Sequence, residues 1–135
     1  MYNEQKTKIN SEKDNKEKIW DLEERTAKFG EDIIKFAKKI PVNDVTKRII
    51  PQLVGAGTSV GANYSEADDA ESPADFKHKI GICKKESRES KHFLRMTATA
   101  VPELVTEARI YWQEAKELNL IFNSIYNKVK GKRNK

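Results

Sequence analysis

Three groups of residues in this chain have types and spacing that could do chemistry. Gly57-Thr58-Ser59-Val60-Gly61 matches the G-x-S-x-G pattern of a nucleophile elbow. Asp75-x-x-His78 and Glu89-x-x-His92 repeat the carboxylate-x-x-His spacing of di-iron bundle ligands. Cys83 is the one thiol in the sequence. A nucleophile elbow works on a sharp strand-to-helix turn that lifts the serine toward a histidine, and the residues around Ser59 read as helix. Gly57, Ser59 and Gly61, together with Gly55, Ala56 and Ala62, instead thin a helix so that a neighbour can approach closely. Each glycine there costs ~1 kcal/mol of helix propensity, which packing must offset. Di-iron sites draw their carboxylate-x-x-His motifs from two helices and a further Glu from each of two others. Both copies here fall on one helical segment, fourteen residues apart, or ~21 Å along the axis, and cannot share a metal pair within a subunit. Surface or interface histidines fit better, and Cys83, at core spacing, reads as a small buried residue. No catalytic residue, metal or cofactor is assigned.

Polar residues beside the apolar stripes form a fourth group: Asn63, Glu66, Glu86 and Glu89, with Lys79, Lys84, Lys85 and Arg88 close by in sequence. Buried polar groups in a bundle must be paired, and they can fix register or oligomer choice. The group is therefore expected to form a polar network between helices or subunits. An ordinary solvated face is the competing reading.

The elements that carry these residues are all helical. Apolar positions recur at helical spacing from Leu22 to Val129, and no segment alternates like a strand. A first helix should start near Asp21, with Glu23 and Glu24 in its first turn, and stop before Pro41. A second, capped by Asn43, should run from Val45 to Ala67 with a kink at Pro51, the alternative being a short helical turn before a helix that begins at Pro51. Ser72-Pro73-Ala74-Asp75 is the sharpest helix start in the chain. That third helix should end before Pro102, with Glu103 to Glu107 as a connection. A fourth carries Tyr111, Ala115, Leu118, Phe122, Ile125 and Val129 in a heptad-like seam. Trp112, Ile121 and Tyr126 widen its apolar arc beyond one seam, as a second subunit would require. The expected fold is an all-α, antiparallel up-down-up-down four-helix bundle spanning 19–130. A disordered or frayed N-terminal arm, 1–18, precedes it, and a basic tail, 131–135, follows.

Composition bounds the function. The chain has 135 residues, 37% hydrophobic and 35% charged, which suits one domain with narrow buried stripes and wide solvated faces. The net charge of +5 is uneven: residues 1–20 carry +1, 128–135 carry +5, and the 107 between carry −1. A near-neutral body argues against a nucleic-acid groove built into each subunit. Lys128, Lys130, Lys132, Arg133 and Lys135 could contact phosphates, or could simply be solvated. One cysteine, no apolar leader and no membrane-length apolar run point to the cytoplasm.

The stretch Gln52-Leu53, Ala56-Gly57-Thr58-Ser59-Val60-Gly61-Ala62-Asn63-Tyr64, Glu66-Ala67, Ala70-Glu71-Ser72, Asp75-Phe76, Lys79-Ile80 and Lys84-Lys85-Glu86 resembles the four-helix-bundle proteins encoded by intervening sequences in 23S ribosomal RNA genes. The resemblance runs from about Arg25 to Lys128. It implies an up-down bundle assembled as a ring-like homopentamer, with no catalytic residues. The accessory variability protein of diversity-generating retroelements is similar in fold and assembly. It uses a basic pentamer surface to engage a reverse transcriptase and nucleic acid. The expected function is a non-enzymatic homo-oligomeric scaffold or binding module, with RNA or a nucleic-acid enzyme as partner. The alternative is a purely structural interaction protein whose basic tail is incidental.

Overall fold

A computed structural model describes residues 21–129. The expected arm, 1–18, and the tail from Lys130 onward lie outside the described residues. Within them the chain forms α1 (Leu22–Ala37), α2 (Thr46–Asp68), α3 (Pro73–Ala100), a 3-10 turn (Pro102–Leu104) and α4 (Val105–Lys128).

Local chemistry sets most boundaries. Ser72 Oγ accepts the Asp75 backbone N–H at 3.0 Å, with Pro73 at the first helical position of α3. Asn43 Oδ1 accepts the N–H groups of Val45 and Thr46, both at 2.9 Å, and so primes the start of α2. Asp21 occupies the N-cap position of α1 but makes no side-chain capping bond. Its acidic neighbours Glu23 and Glu24 complement the helix dipole instead. α2 runs unbroken through Pro51, whose ring is exposed. The connection expected over Glu103–Glu107 is shorter than that: Pro102 starts a single 3-10 turn and Val105 is already helical. A proline favours the first position of such a turn, where its missing N–H costs nothing.

Side-chain pairings fix the helix directions. Gly57 lies against Ile33 and Gly61 against Thr26, so α2 runs antiparallel to α1. Lys79 reaches Glu66 at 2.6 Å and the Cys83 thiol donates to the Val60 carbonyl at 3.6 Å, which sets α3 antiparallel to α2. Asn119 bonds Lys84 while Trp112 meets Lys91, setting α4 antiparallel to α3. The result is an all-α, up-down four-helix bundle.

Its core holds Leu22, Phe29, Ile33 and Phe36 of α1, Leu53 and Val60 of α2, Ile80 and Leu94 of α3, and Leu118 and Phe122 of α4. The α1–α4 seam is the least extensive. It is stitched by an Arg25 fork to Glu114 (2.7 and 2.8 Å), by Arg25 to Glu117 (2.9 Å) and by Lys39 to Glu107 (2.9 Å). Thr26, Ser87, Ser90 and Thr97 are buried, and each hydroxyl donates to the carbonyl four residues back in its own helix. Among the described residues no buried side-chain nitrogen or oxygen is left without a partner.

The α1–α2 approach gives the first prediction. A Cβ on Gly57 would lie 2.8–3.0 Å from three carbons of the buried, β-branched Ile33, whereas one on Gly55 would meet nothing within 4 Å. Overpacking costs ~1–3 kcal/mol, more than the ~1 kcal/mol of helix propensity that alanine restores. In urea unfolding, Gly57→Ala should lower stability by on the order of 1 kcal/mol, and Gly55→Ala should raise it by about as much.

Candidate nucleic-acid interface

The residues that sequence reasoning singled out are dispersed. Ser59 is half-buried in the middle of α2, with no strand before it. His78 and His92 are both exposed on α3, and His92 lies edge-on to Phe93. Among the described residues no group of three His, Cys, Asp or Glu side chains is placed to hold a metal ion. Asn63 donates to the Ser59 carbonyl of its own helix at 2.9 Å, and Glu66, largely exposed, takes Lys79 across to α3. Glu86 and Glu89 share the α2-facing flank of α3. Burial, and then the Glu89 charge, raises the Glu86 carboxyl above its ordinary value. Among the described residues these four make no hydrogen bond to one another. Lys128 is exposed at the last position of α4, while Lys130, Lys132, Arg133 and Lys135 lie outside the described residues.

What the fold does bring together is a set of cations. Lys77, Lys84, Arg88, Lys91 and Arg95 follow at intervals of 7, 4, 3 and 4, which places them on one flank of α3. That flank turns toward α4, which adds Arg109 and Lys116. Lys77 and Lys84 stand 4.7 and 4.3 Å from the centroid of Tyr126. Lys91 and Lys116 stand 5.3 and 5.7 Å from that of Trp112. Lys84, Arg88 and Lys91 border a groove floored by Gly81 and edged by Asn119 and Asn123 of α4. The carboxylate bordering this groove is Glu89, on its α2 side. Arg95 and Arg109 line one cleft at the far end, together with Trp112. Among the described residues none of the seven cations forms an ion pair with a carboxylate; the pairs made by lysine and arginine belong to Arg25, Lys28, Lys39, Lys47 and Lys79.

Two devices hold this face in register. Asn119 Nδ2 donates to the Lys84 carbonyl at 2.8 Å and to Ser87 Oγ at 3.1 Å, pinning α4 to the backbone of α3. Gly81 leaves room for the Tyr126 ring, which a Cβ there would meet at 3.2 Å. The face offers ammonium and guanidinium groups for phosphates and two aromatic rings for bases. The spacing of the α3 cations was legible in the sequence. The charge sum over 21–127 concealed it, because the acids that cancel these cations lie on other flanks.

Fold and face together define an all-α bundle with one basic, aromatic-studded side. The pattern of the 23S rRNA-intervening sequence protein family matches residues 16–107, and the chain belongs to that family. Solved structures similar to it include a Bacteroides thetaiotaomicron protein of unknown function from the S23 ribosomal protein family. It is 25% identical, with a TM-score of 0.70, over 79% of this chain and 99% of that one. A search of curated proteins finds no match. No helix among the described residues is long and apolar enough to cross a membrane.

Cys83, also singled out by its chemistry, is buried and its thiol is pushed up to about 12, chiefly by burial. The thiolate is the reactive form, so at pH 8 the native protein should resist alkylation that the urea-unfolded chain undergoes within minutes. A thiol raised in the folded state stays protonated where the unfolded chain has lost its proton. Its contribution to stability is therefore complete below pH 9.0, the ordinary value, and declines toward pH 12. Urea midpoints across that window should fall less steeply in Cys83→Ala than in the parent.

Proposed function

We propose that this protein is a non-enzymatic, cytoplasmic nucleic-acid-binding module that acts as a homo-oligomer, pentameric by family resemblance, and that RNA binds along its α3–α4 face. The observation that carries this reading is the row of seven cations on that face with no carboxylate partner among the described residues, interleaved with Trp112 and Tyr126. Unpaired cations in a row repel one another, and a polyanion relieves that repulsion while releasing its own counterions. Lys128 and the four cations that follow it in sequence add positive charge to each subunit. Assembly is supported by apolar side chains that a lone bundle leaves in water, namely Ile34, Ile110 and Leu120, which are 43%, 61% and 57% exposed. A purely structural protein with other proteins as partners accounts for those residues but leaves the basic face without a role.

Each phosphate contact on a single strand contributes ~0.7 to the slope of log affinity against log salt. The triple variant Lys84→Gln/Arg88→Gln/Lys91→Gln should therefore flatten the slope for a short RNA by about 2. A chain ending at Asn127 should lose a separate share. Unchanged slope and affinity in the triple variant would exclude the face. Light scattering coupled to size exclusion should give the mass of about five subunits for both the full and the shortened chain, and a monomer would remove the oligomeric half of the proposal.

A further inference from the structure

At the end of the basic face nearest the α3–α4 turn, the two helices part around an open cleft of about 620 Å³. Its walls are apolar, made by Leu94, Ala98 and Ala108 with the ring of Trp112, while Arg95 and Arg109 stand at its exposed edge. The cleft is thus more apolar than the groove beside Lys84, Arg88 and Lys91, whose lining is evenly polar and apolar. An apolar slot with one aromatic wall and two guanidinium groups suits a flat, weakly hydrated ring carried on an anion. A nucleobase attached to its phosphate has that chemistry.

Resting on the nucleic-acid reading above, we propose that this cleft holds one unpaired base of a single-stranded RNA, stacked on Trp112 with its flanking phosphates on Arg95 and Arg109. The strand continues from the cleft past Lys91 and Lys116 toward Arg88 and Lys84. This cationic track is what distinguishes a strand from a free nucleotide, which would leave it unused. A duplex cannot fill the slot without unpairing and unstacking a base, because the base faces inside it are covered by their stacked neighbours. The face should therefore bind single strands in preference to duplexes, through a base contact that tolerates any sequence because every base has a flat face.

Trp112 reports on its own occupancy once the other tryptophan is replaced by Trp20→Phe. In that background, a 12-nucleotide RNA should quench the emission and bind about tenfold more tightly than the same strand annealed to its complement, at equal salt. Trp112→Ala should abolish the preference by weakening single-strand binding about tenfold, with duplex binding unchanged. Trp112→Phe should restore most of the loss. Arg95→Gln/Arg109→Gln leaves the apolar walls intact and should reduce the preference without altering the melting temperature. Equal binding of strand and duplex with no quenching would overturn the base slot and leave the basic face standing. No binding of either would overturn both. Quenching by uridine monophosphate as strong as by the strand would make this a nucleotide site, and emission that shifts with protein concentration alone would assign the cleft to a second copy of the chain; either result overturns the proposal.

Discussion

The narrow buried stripe of α3 is the constraint on which the rest of this molecule depends. A 28-residue helix packs between two partners here, yet what it buries is Ile80, Cys83, Ser87, Ser90, Leu94 and Thr97. Four of those six side chains are small, and the hydroxyls of Ser87, Ser90 and Thr97 are satisfied by their own helix. Small residues, three of them with hydroxyl protons satisfied inside the helix, let α2 and α4 come close. The cost is that α3, despite its length, contributes only Ile80 and Leu94 to the large core side chains, whereas the shorter α1 contributes Leu22, Phe29, Ile33 and Phe36. The gain is that two broad flanks of α3 are freed from packing. One carries Glu86 and Glu89 beside α2, and the other carries the basic row beside α4.

The separation of charge between those flanks is not what stability alone would select. Cations three and four residues apart on a helix destabilise it by a few tenths of a kcal/mol per pair. A protein optimised only for folding would intersperse glutamates among them. This chain does so elsewhere: Arg25 is saturated by Glu114 and Glu117, and Lys39 by Glu107. On the α4-facing flank the repulsion is softened differently, by placing ammonium groups near the Tyr126 and Trp112 rings, at ~0.5–1 kcal/mol each where exposed. An aromatic ring reduces the penalty of an unpaired cation without neutralising it. The positive charge stays available to a ligand.

How much of this was legible in the sequence depended on whether the signal was local. The four helices were, because Ser72-Pro73 and the 3-and-4 spacing of apolar residues act within a turn or two. The end of α3 was legible too, but the length of the connection after it was not, because Pro102 ends one helix whether the next begins at Val105 or later. Gly57 and Gly61 looked like a thin face, but the side chain that fills it, Ile33, is 24 residues away from Gly57 and could not be named. The basic face failed to register for a different reason. Net charge is a sum over the whole surface, whereas recognition depends on where charges sit around a helix. Summing to −1 discarded the angular information that the spacing of Lys77, Lys84, Arg88, Lys91 and Arg95 retained. Asn119 gave no signal at all, since an isolated asparagine on a helix is ordinarily solvated.

The two halves of the functional proposal also constrain each other. One α3–α4 face can neutralise few phosphates, and phosphate contacts made at physiological salt are individually weak. A lone bundle would bind RNA loosely and release it quickly. Repeating the face around a closed assembly makes the second and later engagements intramolecular, with effective concentrations in the millimolar range for short connections. That gain requires the basic faces to remain outside the subunit contacts. The exposed apolar residues meet this requirement in part: Ile34 borders the α1–α2 groove and Ile110 lies on the flank of α4 that turns toward α1. Both sit away from the row of cations. An assembly built through those surfaces would leave the charged face of every subunit free. Like-charge repulsion between neighbouring faces would itself disfavour burying them, so in the proposed assembly the charge offered to the ligand would also help to determine which surfaces the subunits share.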